Sequence, residues 1–190
     1  MKFSIEQIKK CQDTINEIKN ETSKIVVGQQ EIINSIIRAI LSNGHVLLEG
    51  IPGIAKTLII RALAKITGCK YSRIQFTADL LPTDIIGLTT YIKEKDKFSV
   101  VKGPVFANYV IADEINRSPP KTQSALLEAM QEHQVTIGNE TFKLLDPFIV
   151  MATQNPIESS GVYQLPEAQI DRFLFKLKIT YPKMDEEHKI

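Results

Sequence analysis

One short stretch constrains the fold more than any other part of the sequence. Residues 45–63 read HVLLEGIPGIAKTLIIRAL: an apolar run, a Gly-Ile-Pro-Gly turn, and apolar residues at helical spacing behind Lys56 and Thr57. In such a strand, turn and helix, backbone N–H groups can wrap phosphates, the lysine can reach the terminal phosphates, and the next hydroxyl can bind Mg²⁺. Ala55 stands where the strict pattern has a second glycine. The alternative for this stretch alone is a glycine-rich turn with a surface lysine.

The remaining apolar segments predict an α/β fold with a mainly parallel sheet of five strands. Short apolar runs without alternation are typical of strands that are buried on both faces, and patterns with helical spacing lie between several of them. The predicted strands are 46–48, 72–76, 109–112, 148–152 and 173–179, and the helices between or after them are 56–66, 120–131 and 166–171.

Four other segments are predicted outside this alternation. Isoleucines at helical spacing indicate an amphipathic helix near the N-terminus, and a second helix follows it and ends at Asn43-Gly44. Residues 78–103 contain two short strands around a charged turn, and residues 134–144 alternate around Gly138-Asn139 as a β-hairpin does. Each of the last two segments, taken alone, fits a plain surface hairpin equally well.

Composition limits the classes of partner. The 190 residues are the size of one ordinary domain, and the formal net charge is +1, so the total charge does not indicate a nucleic-acid partner or an anionic membrane. No apolar stretch is long enough to span a membrane, and the N-terminal residues lack the apolar core of a signal peptide. We therefore expect a cytoplasmic protein.

Polar residues that could complete a phosphate site follow the later strands. Asp113 and Glu114 end an apolar strand, where Asp113 could hold Mg²⁺ through its water shell and Glu114 could take a proton from water. Asn155 follows the next strand and could bind both water and a phosphate, and Arg172 could reach phosphate oxygens. The alternatives are a solvated strand end, an asparagine in a turn before proline, and a salt bridge of Arg172 with Glu167 or Asp171.

Longer motifs resemble the MoxR-type AAA+ ATPases of the helix-2-insert clade. The resemblance covers residues 26–182 and rests on GIPGIAKT, QFTADLLPTDIIG, GPVFANYVIADEINRSPPKTQSALLEAMQEHQVT and PFIVMATQNPIESSGVYQLPEAQIDRF. It implies a P-loop core with a helix-2 insert at 78–103 and a pre-sensor-1 hairpin at 134–144. It also implies ATP or ADP with Mg²⁺ as cofactors, held by Val27, Gly28, Gln29, Gly50, Ile51, Pro52, Gly53, Ile54, Ala55, Lys56, Thr57 and Leu58, with Thr57 and Asp113 at the metal.

The same resemblance implies catalytic roles and partners. Asp113 and Glu114 correspond to Walker B, Asn155 to sensor 1, and Arg172 to an arginine finger that acts on a neighbouring subunit, with Arg117 as the second candidate. The family assembles as rings, which implies a hexamer when a helical lid is present, and it acts on protein clients, among them von Willebrand A-type proteins. The lid would begin in 183–190, after an N-terminal helix in 1–25 and the core in 26–182, and we expect the chain to lack most of that lid.

Two other functions are open at the level of sequence. A DNA-translocating motor would need basic hairpin tips, whereas IGNETFK and KEKDK carry mixed charge. A scaffold that binds ATP with little turnover fits a chain without the lid, but in the full-length protein it would not need Glu114, Asn155 and Arg172 together. The resemblance therefore favours Mg-dependent ATP hydrolysis that remodels, matures or activates protein clients.

Overall fold

The computed structural model describes residues 4–26, 28–50, 56–155 and 161–179, without the side chains of residues 56 and 95. Nine strands and six α-helices lie in these ranges. In chain order they are α1 (Ile5–Ser23), α2 (Gln30–Leu41), β1 (Val46–Gly50), α3 (Lys56–Thr67), β2 (Tyr71–Gln75), α4 (Pro82–Ile86), β3 (Gly87–Ile92), β4 (Lys97–Lys102), β5 (Tyr109–Asp113), α5 (Pro120–Glu132), β6 (Gln134–Ile137), β7 (Glu140–Lys143), β8 (Ile149–Gln154), α6 (Glu167–Ile170) and β9 (Phe175–Ile179).

Five of the strands form one parallel sheet in the order β2-β5-β8-β1-β9. Its central strands are buried on both faces, as their unbroken apolar runs predicted. The predicted five-stranded sheet between helices is therefore confirmed, and every strand pair described in it is parallel. Because all five strands point the same way, the residues that follow β1, β5 and β8 meet at one edge of the sheet.

Each face of the sheet supports its own apolar core. One core contains residues of α2 and α3, such as Ile36 and Leu63, and the other contains residues of α5, such as Leu126. Ile15 and Ile18 of α1 pack against the α2–α3 core, whereas the first turns of α1 project into solvent. The divisions of the chain after residues 25 and 182 stay predictions, and the predicted start of a lid in 183–190 lies outside the described residues.

The end of α2 differs in detail from its prediction. The left-handed residue is Asn43 (φ 51°), not Gly44, and the N–H groups of Asn43 and Gly44 donate to the carbonyls of Ile40 and Ala39. This is the pattern of a Schellman cap, in which asparagine can replace glycine. Gly44 is needed for another reason: a Cβ there would lie 2.6 Å from the side chain of Leu174.

Residues 78–103 and 134–144 each contain an antiparallel hairpin, as predicted. Strands β3 and β4 pair antiparallel after the short helix α4, which had no periodic signal in the sequence, and β6 pairs with β7 around Gly138. The two hairpins contact each other: Lys102 of β4 places its ammonium 4.8 Å from the ring centre of Phe106 and 4.9 Å from that of Phe142 in β7. Across the described ranges, no helix is both long enough and apolar enough to cross a membrane.

Candidate active site

The turn between β1 and α3 lies at the edge where the sheet strands end. Gly50 is the last residue of β1, and a Cβ there would lie 2.6 Å from the carbonyl oxygen of Ile179 in β9, so the close approach of these strands requires glycine. Helix α3 begins at Lys56, and Thr57 in its first turn is half-buried, while Leu58 is 44% exposed. Ile51, Pro52, Gly53, Ile54 and Ala55 lie outside the described residues, as do Val27 and the side chain of Lys56.

Of residues 27–29, which the resemblance implies in nucleotide binding, the structure describes Gly28 and Gln29. Gly28 (φ 73°) and Gln29 (φ 59°) are both left-handed, and Gln29 is the N-cap residue that precedes α2. Two successive left-handed residues produce a sharp turn into α2, which packs beside α3 on the same face of the sheet.

Asp113, the last residue of β5, is held by partners on both neighbouring strands. The hydroxyl of Thr153 in β8 donates to its Oδ1 at 2.6 Å, and Nη2 and Nε of Arg73 in β2 donate to its Oδ2 at 2.6 and 3.2 Å. The hydrogen bond to Asp113 raises the pKa of the Arg73 guanidinium, so Arg73 keeps its positive charge. Parallel register places Gln75 of β2 directly beside Asp113.

Glu114 follows in a left-handed conformation (φ 57°, ψ 48°), which turns its side chain away from the strand direction. Its N–H donates to the Thr153 hydroxyl at 2.9 Å, so one buried hydroxyl ties both acids to β8. Its Oε2 accepts a hydrogen bond from Gln75 Nε2 at 2.9 Å and lies 3.0 Å from Nε of Arg117. Arg117, the second arginine candidate, therefore lies beside Glu114 of its own chain.

Asn155 follows β8 and is 9% exposed at the same edge. Beside it is a cavity of about 230 Å³ whose lining includes Asn155, Glu49 and Gln154. Glu49 of β1 accepts a hydrogen bond from Gln154 and lies 2.8 Å from Lys176 of β9. Burial raises the pKa of Glu49, but the hydrogen bonds from Lys176 and Gln154 outweigh it and hold this pKa below its ordinary value.

Arg172 is exposed just after α6. Within the described ranges no ion pair joins it to Glu167 or Asp171, so the salt-bridge alternative finds no support. The segment before α6 is anchored by Gln123 of α5, whose buried Nε2 donates to the carbonyls of Ile115, Ser118 and Tyr163 at 3.0–3.2 Å. The segment that leads to Arg172 is thereby joined to the turn after Glu114.

The oxygen donors at this edge suit a hard cation. Asp113 offers a carboxylate and Thr57 a hydroxyl, and Mg²⁺ is usually held by one or two protein oxygens with several waters. In the described parts of the chain, no three His, Cys, Asp or Glu residues cluster as they do around a metal with an all-protein shell. One carboxylate and one hydroxyl are a donor set that fits Mg²⁺ when waters and phosphates supply its other ligands.

Sequence reasoning missed Arg73, Gln75, Gln123 and Thr153. Arg73 and Gln75 lie in the predicted strand next to β5, and alternate polar residues at the end of an edge strand are the signal that could have identified them. Gln123 gave no signal in the pattern of α5.

The parallel sheet, the helix that begins after β1, and the acids at the end of β5 define the α/β core of a P-loop nucleoside triphosphatase. A family model described as "ATPase family associated with various cellular activities (AAA)" matches residues 45–175. The chain belongs to this family and is a MoxR-type AAA+ protein.

Relatives and a solved structure agree with this assignment. The chain is 56% identical to Chaperone MoxR1 of Mycobacterium tuberculosis over 90% of its own length and 45% of that protein. It is 35% identical to Protein MoxR of Methylorubrum extorquens, over 90% of its length and 51% of that protein. A crystal structure of an ATPase candidate from Cytophaga hutchinsonii superposes with a TM-score of 0.82 at 50% identity, over 96% of this chain and 57% of the other. The chain thus spans about half the length of the curated relatives it matches.

Proposed function

We propose that the complete protein binds ATP with Mg²⁺ and hydrolyses it in a ring of identical subunits, and that hydrolysis remodels or activates protein clients. The observation that carries the proposal is the convergence of Asp113 and Glu114 with Asn155 at the edge where α3 begins. In this account the backbone N–H groups of residues 50–55, except Pro52, and the Lys56 ammonium bind the phosphates, and Gly28 and Gln29 lie against the adenine. When bound, Mg²⁺ would offset the negative charge of the phosphates.

The chain's own residues then have separate tasks. The Thr57 hydroxyl and the Asp113 carboxylate bind the metal, and Glu114 accepts the proton of the attacking water. The amide of Asn155 orients that water, because it can donate and accept hydrogen bonds at the same time. The hydroxyl of Thr153 supports this division of tasks, since it fixes the relative positions of the two acids through bonds of 2.6 and 2.9 Å.

Arg172 serves the ATP of a neighbouring subunit. Its exposure and the lack of an ion pair with Glu167 or Asp171 within the described ranges support a role outside its own chain. In other phosphate-hydrolysing systems an arginine supplied in this way is worth about 10³–10⁵ in rate, so turnover should depend on assembly.

The surface of the β3–β4 hairpin favours a protein as the client. Leu88, Tyr91, Phe98 and Val101 of this hairpin are 42–73% exposed. Exposed apolar side chains grouped in one element favour a contact with protein, and the tip of this hairpin, KEKDK, mixes lysines with acidic residues instead of presenting the purely basic surface that a contact with nucleic acid favours.

The substitution Glu114→Gln tests the proposal. It removes the base but keeps the size of the side chain, so we expect the complete protein to bind ATP as the wild type does and to lose about 10²–10⁴-fold in turnover. Glu132→Gln, an exposed position at the end of α5, is the matched control and should keep full turnover. Equal turnover in Glu114→Gln and wild type would refute the role of Glu114.

A further inference from the structure

Arg73 occupies the carboxylate that the proposed function assigns to the metal. Both of its bonds to Asp113 go to a single oxygen, Oδ2, at 2.6 and 3.2 Å, and Thr153 holds the other oxygen. A metal ion or its water at Asp113 would meet a guanidinium group that carries a positive charge and has already taken this oxygen. Arg73 and Mg²⁺ therefore compete for one group.

The two partners of Asp113 differ in their freedom to leave. Thr153 is 2% exposed and also accepts the Glu114 N–H, so its release would leave polar groups unpaired inside the protein. The side chain of Arg73 is 47% exposed and lies in the edge strand β2, so it can swing into water without desolvation cost. Arg73 is thus the partner that can be exchanged.

Arg73 also links the two acids. Its Nη2 donates to Oε1 of Gln75 at 2.6 Å, and Nε2 of Gln75 donates to Glu114 at 2.9 Å. Two adjacent carboxylates repel each other, and a positive charge that contacts Asp113 and is linked to Glu114 through Gln75 reduces that repulsion. A cation that replaced Arg73 would take over this task.

We propose that Arg73 is an exchangeable counterion of the metal site, which pairs with Asp113 and gives way to the Mg²⁺ that arrives with the nucleotide. The inference rests on the proposed function, because it takes Asp113 to be the metal-binding residue. Its consequence is that Arg73 weakens the metal-dependent part of nucleotide binding. Removing the half-exposed charge of Arg73 should strengthen the metal-dependent part of nucleotide binding about three- to tenfold.

The test compares the affinity of the complete protein for a fluorescent ADP analogue in EDTA and in Mg²⁺. The dissociation constant in EDTA divided by that in Mg²⁺ reports only the metal-dependent part of binding, and this ratio rises as that part becomes stronger. We expect Arg73→Gln to raise this ratio three- to tenfold with little change in EDTA, and Arg73→Lys, which keeps the charge, to stay close to wild type. Arg38→Gln, which removes an exposed arginine from α2, should leave the ratio unchanged.

The direction in which Arg73→Gln changes the ratio shows whether Arg73 competes with the metal or orients Asp113 for it. An unchanged ratio in Arg73→Gln overturns the proposal, and a smaller ratio does so too, because it would mean that Arg73 orients Asp113 for the metal. Circular dichroism and urea unfolding establish that each variant is folded. If the wild type binds ADP in neither buffer, the proposed function fails and this inference fails with it. If the wild type binds and only the ratio is unaffected, this inference alone fails.

Discussion

His45, the residue before β1, gives the protein a pH-dependent stability that can be calculated from the structure. Its ring is 5% exposed, with Nε2 3.1 Å from the Met130 carbonyl oxygen and Nδ1 accepting the Val150 N–H at 3.0 Å. This pattern requires the neutral ring with its proton on Nε2. Burial lowers the pKa of His45 from 6.5 to about 4; the Met130 carbonyl raises it in part, and the nearby His133 lowers it further.

The difference in proton binding between the folded and unfolded chains determines whether stability rises or falls with pH. Between pH 6.5 and 4 the unfolded chain binds a proton at His45 and the folded chain does not, so stability falls as the pH falls through this window. The stability that the neutral His45 ring contributes is present above pH 6.5, is lost as the pH falls towards 4, and changes no further below pH 4. For these two pKa values, lowering the pH from 7.5 to 5.0 costs about 2 kcal/mol of unfolding free energy.

The assay is urea unfolding of the wild type and His45→Gln at pH 7.5 and 5.0. Glutamine keeps an uncharged donor and acceptor, and other titrating groups are common to both proteins. We expect the wild type to lose about 2 kcal/mol more than His45→Gln over this interval, at unchanged m-values. Equal losses in the two proteins would refute the reasoning.

Two further predictions concern the site. Thr153→Val keeps the shape of the side chain but removes the hydroxyl that binds Asp113 and the Glu114 N–H, so it should destabilise the fold by about 1–3 kcal/mol in urea unfolding; equal stability would contradict the geometry. Inactive Arg172→Ala subunits should regain turnover when mixed with Glu114→Gln subunits, to roughly a quarter of the wild-type rate at equal amounts, since half of the subunits keep Glu114 and half of those have a neighbour with Arg172. Mixed rings without turnover would count against an arginine that acts between subunits.

Local pattern was sufficient to predict the sheet. Strands buried on both faces need unbroken apolar runs, and such runs are visible without knowing what they pack against. The ends of these runs also placed Asp113, Glu114 and Asn155 at one edge, because parallel strands end on the same side. The boundaries were short by one to two residues at the ends of β1, β5 and β8, where the strands continue into polar or glycine residues.

Contacts between distant strands could not be read from local pattern. Arg73 reaches Asp113 only because β2 lies beside β5 with Gln75 opposite Asp113, and register between strands 40 residues apart leaves no local trace. Gly50 and Gly44 are required by close approaches to Ile179 and Leu174, which depend on the position of β9. Helix α4 has only five residues, too few for a periodic signal.

A crystal structure of the complete protein with Mg²⁺ and ADP tests the central claim most directly. The account predicts the diphosphate at the turn between β1 and α3, the metal beside Thr57 and Asp113, and the guanidinium of Arg73 withdrawn from Asp113. A nucleotide bound away from this edge, or a metal held by residues other than these two, would contradict it.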